Sequence, residues 1–256
     1  MLNPPAHRSL FVPALGTLVV LAWVTLFAWE RSPYARYLTH GEPGQFLCRP
    51  GTPPLAEAGL YLGGWTLMIV AMMLPTTLPL VNTFRGVTRQ RDDRTLLVML
   101  LLLGYLAVWL AFGVVAHVLD QALRAQLEQS AWFIAHPWTF GAGALALAGA
   151  FQFSSLKYRC LDKCRSPLSF VMGHWHGRNP AAGALALGVH HGAFCVGCCW
   201  ALMLLMFAVG SGSIGWMFAL GAAMAIEKNM PWGRRLAAPL GIVLVAASAW
   251  VALSHL

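Results

Sequence analysis

The chain alternates between long apolar runs and short polar segments, and seven of the runs are long enough to be membrane spans. Each holds about 20 or more mostly apolar residues, which as an α-helix cross a hydrocarbon core of about 30 Å. Charged residues, Pro or Gly mark the ends of the runs. The pattern predicts an all-α polytopic membrane helix bundle, a single transmembrane domain over residues 1–256, with spans at residues 10–29, 59–84, 96–119, 138–156, 181–208, 212–230 and 236–253.

Composition agrees with this pattern. Hydrophobic residues make up 58% of the chain and charged residues only 10%, against about 25% charged in a typical soluble domain. The formal net charge of +8 raises the question of a nucleic-acid partner. The basic residues are spread over short loops, however, and do not form the basic face typical of nucleic-acid binding. The expected partner is therefore the lipid bilayer and not nucleic acid.

The distribution of Lys and Arg predicts the orientation of the spans. With the N-terminus in the cytoplasm, thirteen of the seventeen basic residues fall on the cytoplasmic side, in agreement with the positive-inside rule. The C-terminus is then outside. Residues 30–58 form the longest external loop, and residues 157–180 form a cytoplasmic loop with a cysteine pair.

Two local features predict how the helices pack. Pro75 lies within the second predicted span and lacks a backbone N–H, so we expect a kink near the middle of the membrane. The spacings Gly59-x-x-x-Gly63 and Gly188-x-x-x-Gly192 are typical of helices whose backbones approach closely.

The fifth predicted span carries the most informative group of residues. At 100° per residue, His191, Cys195, Cys198 and Cys199 fall within about a third of the helix circumference. Sulfur and imidazole donors suit Cu(I), with Zn(II) as the alternative. Each of these side chains could instead serve only in packing, because Cys behaves as a small hydrophobe. His190 precedes His191, and the helical phase favours His191 as the imidazole that faces the site.

Further candidate ligands come from three other segments. Met72 and Met73 precede the kink, Met203 follows the cysteines, and thioethers can pass a soft cation between sites. Cys160 and Cys164 are four residues apart and share one face if their segment is helical, so both sulfurs could bind one metal. Whether this pair and the cluster of the fifth span form one site or two stays open.

Glu227 and Lys228 are the one adjacent ionisable pair within a predicted span. Neighbouring positions on a helix diverge by about 100°, so the two side chains need different partners. Glu227 is predicted to neutralise a metal ion or one of the basic loop residues. For Lys228 we expect the long side chain to reach the inner headgroups.

Taken in order, these segments resemble a family of bacterial integral membrane proteins of unknown function described as predicted metal-binding. The resemblance runs from about residue 65 to residue 235. It rests on the Ala71-Met72-Met73-Leu74-Pro75 segment, the Cys160-Leu161-x-x-Cys164-Arg165 segment, the His191-Gly192-x-x-Cys195-x-x-Cys198-Cys199-Trp200 segment and Met224-x-x-Glu227-Lys228. The resemblance implies metal binding and a multi-pass protein of the bacterial inner membrane.

The leading functional hypothesis is Cu(I) handling, which means transport, delivery or homeostasis, through an intramembrane Cys/His/Met cluster. The alternatives are a membrane thiol-disulfide oxidoreductase and a scaffold or helper subunit of a larger membrane complex. Membrane protein partners or a homo-oligomer fit any of these. The chain has no nucleotide-binding or standard hydrolase motif, so nothing in it supports an ATP-driven pump, and whether it is an enzyme stays open.

Overall fold

The computed structural model describes residues 11–32, 54–127, 129–175, 177, 179–209 and 214–255. These ranges contain helices and no β-strand, which confirms the all-α prediction. The α-helices, in chain order, are α1 Phe11–Glu30, α2 Pro54–Met72, α3 Leu78–Val87, α4 Arg94–Leu127, α5 Ala131–Ala135, α6 Trp138–Phe151, α7 Ser155–Cys164, α8 Pro167–His174, α9 Pro180–Val209, α10 Ile214–Asn229 and α11 Ala237–Ser254. Short 3₁₀ turns at Pro75–Thr77 and Gly233–Leu236 precede α3 and α11.

Four helical segments of the described chain are long and apolar enough to cross a membrane, and the number rises to six if each of two bent helix pairs counts as one span. The sixth of the seven predicted spans corresponds to α10, which has only 16 residues. The count of seven therefore stays a prediction. Most of the predicted external loop, residues 33–53, lies outside the described residues, as do residues 1–10.

The first bent pair confirms the kink predicted at Pro75. Segment 58–72 and segment 75–87 meet at an angle of 44°. Proline cannot donate a backbone hydrogen bond, so carbonyls on the preceding turn lose their helical partners. The indole N–H of Trp23 compensates by donating to the carbonyl of Ala71, four residues before Pro75, at 3.2 Å. The hydroxyls of Thr76 and Thr77 donate to the carbonyls of Met73 and Leu74, both at 2.7 Å. The break is thus stable, and it places Met73 at its start.

The second bent pair brings α7 back against α9. Helix α6 and α7 meet at an angle of 65°, and Ser154 begins α7 by accepting a hydrogen bond from the backbone N–H of Lys157 at 3.1 Å. The segment predicted as the cytoplasmic loop 157–180 is therefore helical over most of its described length, as α7 and α8. This bend positions the Cys160 and Cys164 pair beside the fifth predicted span.

Helices α4 and α9 form the closest helix pair of the bundle, because glycines remove the side chains between their backbones. A Cβ added at Gly188 would lie 2.0 Å from the carbonyl oxygen of Leu101, and one added at Gly104 would lie 2.3 Å from that of Leu185. The prediction for Gly188-x-x-x-Gly192 is confirmed. The prediction for Gly59-x-x-x-Gly63 is wrong, since an added Cβ at either glycine meets no described atom within 4 Å.

Besides its apolar core, the bundle buries several polar or ionisable side chains and exposes many large apolar ones. Several ionisable or polar side chains are buried: Gln152, Lys157, His191, Glu227 and Lys228. Many large apolar side chains point outward instead, among them Val115, Leu119, Phe218, Ile242 and Trp250, the last 74% exposed. Soluble proteins rarely expose apolar surface of this extent.

We predict that Gly188→Ala destabilises the bundle by about 1–3 kcal/mol, because the added methyl group forces α4 and α9 apart. Gly143→Ala is the matched control, since its Cβ would meet nothing within 4 Å. There the change should be neutral or stabilising by about 0.5–1 kcal/mol, the usual helix preference for Ala over Gly. The measurement is the free energy of unfolding in detergent, and equal effects of the two substitutions would contradict the close approach.

Candidate metal centre

The three cysteines of α9 face the interior together. Cys195, Cys198 and Cys199 are each only 1% exposed. One turn earlier, His191 is also buried, whereas His190 is exposed and packs against the ring of His174 at a centroid distance of 5.2 Å. The helical phase therefore predicted correctly which of the two imidazoles faces the interior.

Two of these cysteines and a methionine surround the ammonium group of Lys228. The Nζ atom of Lys228 lies 2.9 Å from Cys195 Sγ, 3.7 Å from Cys199 Sγ and 3.6 Å from Met73 Sδ. Cys199 Sγ is 4.0 Å from Met73 Sδ. We call Cys195, Cys199 and Met73 the sulfur trio. Its members come from α9 and from the break that follows α2, while the lysine comes from α10.

The prediction that Lys228 reaches the headgroups is wrong. The side chain is only 6% exposed and ends among sulfur atoms. A terminal lysine of a helix extends toward water when its stem has an apolar surface to follow. Here three soft acceptors lie within reach of the ammonium group in the interior, so the side chain turns inward.

Tyr105 of α4 adds a hydroxyl to this centre, and sequence reasoning missed it. Its hydroxyl oxygen is 3.1 Å from Cys195 Sγ and 3.3 Å from the backbone oxygen of Met73. The close approach of α4 and α9 brings Tyr105 there. No motif around Tyr105 marks it in the sequence, because the contact joins positions 90 residues apart.

Glu227 pairs with Lys157, one of the two kinds of partner predicted for it. Glu227 Oε2 accepts a hydrogen bond from Lys157 Nζ at 2.7 Å, with both side chains almost fully buried. Lys157 Nζ also donates to the backbone oxygen of Cys198 at 3.4 Å. Glu227 Oε1 has no hydrogen-bond partner among the described residues. The carboxylate thus neutralises Lys157 of α7 and not its own neighbour Lys228.

The two predicted cysteine groups meet. Cys164 packs against the core cluster that contains Cys195 and Cys198, and Cys160 Sγ packs against Gly197, where an added Cβ would lie 2.7 Å from it. The five cysteines within the described residues are all free thiols. Of these five, Cys164 is the one that is partly exposed, so it connects the buried cysteines to the surface.

The other predicted ligands lie near the trio in different environments. Met72 packs against Gly221 of α10, where an added Cβ would lie 3.1 Å from Met72 Cε. Met203 is fully buried in the core that contains the cysteines. His191 packs between the rings of Tyr105 and Phe170, and its Nδ1 atom has no hydrogen-bond partner within the described part of the chain.

The usual metal-ligating side chains do not converge in threes within the described residues. Among the described residues, no group of three or more His, Cys, Asp or Glu side chains is arranged to hold a metal ion. The thiols of Cys198 and Cys199 donate instead to the backbone oxygen of Cys195, at 3.1 and 2.9 Å. What does converge is a thiol pair with a thioether, the donor set that suits a soft monovalent ion.

Comparison with known proteins gives one family. A family model, PpoB2, described as a copper chaperone, matches residues 62–251, about three quarters of the chain. The matched region contains the sulfur trio, Lys228 and the Lys157–Glu227 pair. Neither the curated proteins nor the solved structures give a match.

We predict that Lys157→Met lowers the free energy of unfolding by about 3–5 kcal/mol, because it leaves the Glu227 carboxylate buried without a counter-charge. The double substitution Lys157→Met with Glu227→Leu should cost less than the single one, since both charges are then gone. Asp162→Asn is the control, because Asp162 pairs with Arg234 at 3.5 Å on the surface and such pairs contribute about 0–1 kcal/mol. Denaturant unfolding in detergent measures all three, and a double variant less stable than Lys157→Met would contradict the ion pair.

Proposed function

This chain belongs to the copper chaperone family, and from that premise we propose that it is a membrane copper chaperone that holds Cu(I) between Cys195, Cys199 and Met73. The observation that carries the proposal is the convergence of these three sulfur atoms around one cation, the ammonium group of Lys228. These sulfur atoms already surround one positively charged group, so they can also surround a positively charged metal ion.

The donor set favours Cu(I) over Zn(II). Thiolate and thioether are soft ligands that select Cu(I), whereas structural zinc sites use four ligands in tetrahedral geometry. Two thiols and one thioether supply three soft donors, and the nearest carboxylate, Glu227, is engaged by Lys157. Burial of the trio also keeps water from the ion.

A chaperone must also release its ion, and a second set of donors offers a path. Cys164 packs against the core that contains Cys195 and Cys198 and is partly exposed, so ligand exchange through Cys198 and Cys164 would lead from the trio toward the surface and an acceptor protein. Cys160 lies next to this path. On the other side of the trio, His191 presents an unpartnered nitrogen one turn before Cys195.

We place the protein in the bacterial inner membrane with its N-terminus and residues 157–180 in the cytoplasm. Four to six apolar helices of sufficient length support this, and so do the outward apolar faces and the buried charges. Thirteen of seventeen basic residues fall on the cytoplasmic side in this orientation. The lipid bilayer, the copper ion and an acceptor protein are the partners that the proposal implies.

A thiol-disulfide oxidoreductase is the second candidate, favoured by the packing of Cys164 against the core that contains Cys195 and Cys198. In such a reaction two of these thiols form one disulfide bond, while a disulfide of the substrate protein takes up their two electrons and two protons and becomes two thiols. All five described cysteines are reduced here, and counting their thiols separates the two functions, since copper binding leaves the thiol number unchanged.

We predict that the purified protein in detergent binds Cu(I) under anaerobic conditions, and that Cys195→Ser or Cys199→Ser weakens binding at least about tenfold by removing a thiolate ligand. Met73→Leu should weaken it less, because a thioether carries no charge. Met68→Leu is the matched control, a buried methionine of α2 that lies outside the trio. Competition with a Cu(I) chelator measures the affinity, and thiols are counted by mass-tagging in the same samples.

Equal affinities of wild type, Cys195→Ser and Cys199→Ser would contradict the trio as the site. A disulfide that forms and disappears with growth conditions, together with no retained copper, would favour the oxidoreductase.

Seven spans place the C-terminus on the side of the membrane opposite the N-terminus, whereas a bundle without α10 as a span places both termini on the same side. We predict that alkaline phosphatase fused after residue 256 is active, because this enzyme folds only outside the cytoplasm. A fluorescent protein that folds only inside, fused at the same position, is the control and should be dark. The reverse result would contradict the proposed arrangement of seven spans with the N-terminus in the cytoplasm.

A further inference from the structure

The number of N–H donors on the ammonium group of Lys228 equals the number of sulfur atoms in the trio. An ammonium group has three donors and no acceptor, and Lys228 Nζ has three sulfur atoms within 2.9–3.7 Å. Each sulfur can accept one of these N–H groups. The side chain is 6% exposed, so water does not take the place of these acceptors.

The positive charge of Lys228 has no carboxylate beside it in the described structure. Glu227, its neighbour in sequence, pairs with Lys157 at 2.7 Å on another side of α10. A buried charge without a counter-charge is costly. The groups available to balance Lys228 are therefore the thiols of Cys195 and Cys199, which become negatively charged when they lose their protons.

This arrangement fixes the charge of the site when a metal ion binds. Cysteines that ligate a metal are deprotonated, so two thiolates and one ammonium group together carry a charge of −1. A monovalent ion then makes the buried site neutral, and a divalent ion leaves it at +1. Without the lysine the thiolates carry −2, and the divalent ion becomes the one that gives neutrality.

We propose that Lys228 is a specificity-determining residue, which makes the sulfur trio select a monovalent soft cation over a divalent one. The proposal rests on the proposed function and goes beyond it by naming the residue that rejects divalent ions. Lys228 need not be a ligand. Its flexible four-carbon stem allows the ammonium group to move aside for Cu(I) while the charge stays near the thiolates.

The two ions that test this proposal are Cu(I) and Zn(II), which share the same filled d shell and differ by one unit of charge. The measured quantity is the ratio of their dissociation constants for purified protein in anaerobic detergent solution. Only the component of binding that disappears in Cys195→Ser is counted, which separates the trio from other cysteines. A substitution that damages the trio in general weakens both ions and leaves the ratio unchanged.

Lys228→Leu is the test variant, because it removes the charge and supplies no new ligand, unlike methionine. We expect its ratio to shift toward Zn(II) by at least about tenfold, since one unit charge within 4 Å acts on ions that differ by one unit. Lys228→Arg keeps the charge and should stay near the wild-type ratio. Lys228→Gln removes the charge but keeps an N–H donor for the sulfur atoms, so its ratio should shift in the same direction as that of Lys228→Leu. It is the test variant if Lys228→Leu does not fold.

A second test compares the wild-type protein with a peptide and needs no variant. A short peptide with two cysteines and one methionine but no lysine has the same ligands, and the protein should prefer Cu(I) over Zn(II) by a larger factor than the peptide does. Suppose that wild type binds Cu(I), but that the neutral variants keep its ratio of dissociation constants or the peptide prefers Cu(I) over Zn(II) by the same factor. The proposed role of Lys228 is then wrong, and the copper site stands. If wild type binds no Cu(I) through Cys195, the copper site fails and this proposal fails with it.

Discussion

Two lysines and one glutamate of the described chain are buried in an apolar bundle, and the cost of burying their charges governs the rest of the structure. Lys157, Glu227 and Lys228 are each at most 6% exposed. Each must find a partner among groups that the helices bring to it, since an isolated charge in such a place is strongly unfavourable. Glu227 and Lys228 diverge by about 100° on α10, so they bind partners on different elements. Glu227 thereby fixes α7 to α10, and Lys228 fixes the break after α2 and α9 to α10.

The backbone features of the bundle serve this arrangement. The break at Pro75 ends the helical path of α2 and leaves Met73 where its sulfur reaches Lys228 and Cys199. The glycines between α4 and α9 let the two backbones meet, and Tyr105 of α4 then contacts Cys195. Arg165, just after α7, donates hydrogen bonds to the backbone oxygens of Glu227 and Pro231 and holds the end of α10. The proline break, the glycines and the partners of the buried charges thus all favour the same arrangement of helices.

The parts of the site that follow from short-range geometry could be predicted from the sequence. The inward face of α9, the choice of His191 over His190 and the kink at Pro75 all depend on residues within one or two turns of each other. Contacts between distant segments could not be predicted in the same way. Tyr105 carries no local signal, and the approach of Cys164 to Cys195 depends on the 65° bend before α7. Lys228 was misjudged because its preference for the headgroups assumed that the interior offers no acceptors.

The lack of a preformed group of three His, Cys, Asp or Glu ligands in the described chain is compatible with the work of a chaperone. A closed site of several thiolates holds copper tightly and resists transfer, because every ligand must be exchanged. A trio of two thiols and a thioether, contributed by two separate elements, holds the ion with fewer charged bonds. Lys228 offers the thiolates another positive partner once the ion leaves, so the empty site does not keep two unbalanced charges in the interior. In the site that we propose, release is an exchange between two cations at the same sulfur atoms, and the next ligand is Cys164, which packs against the core that contains Cys195 and Cys198 and is partly exposed.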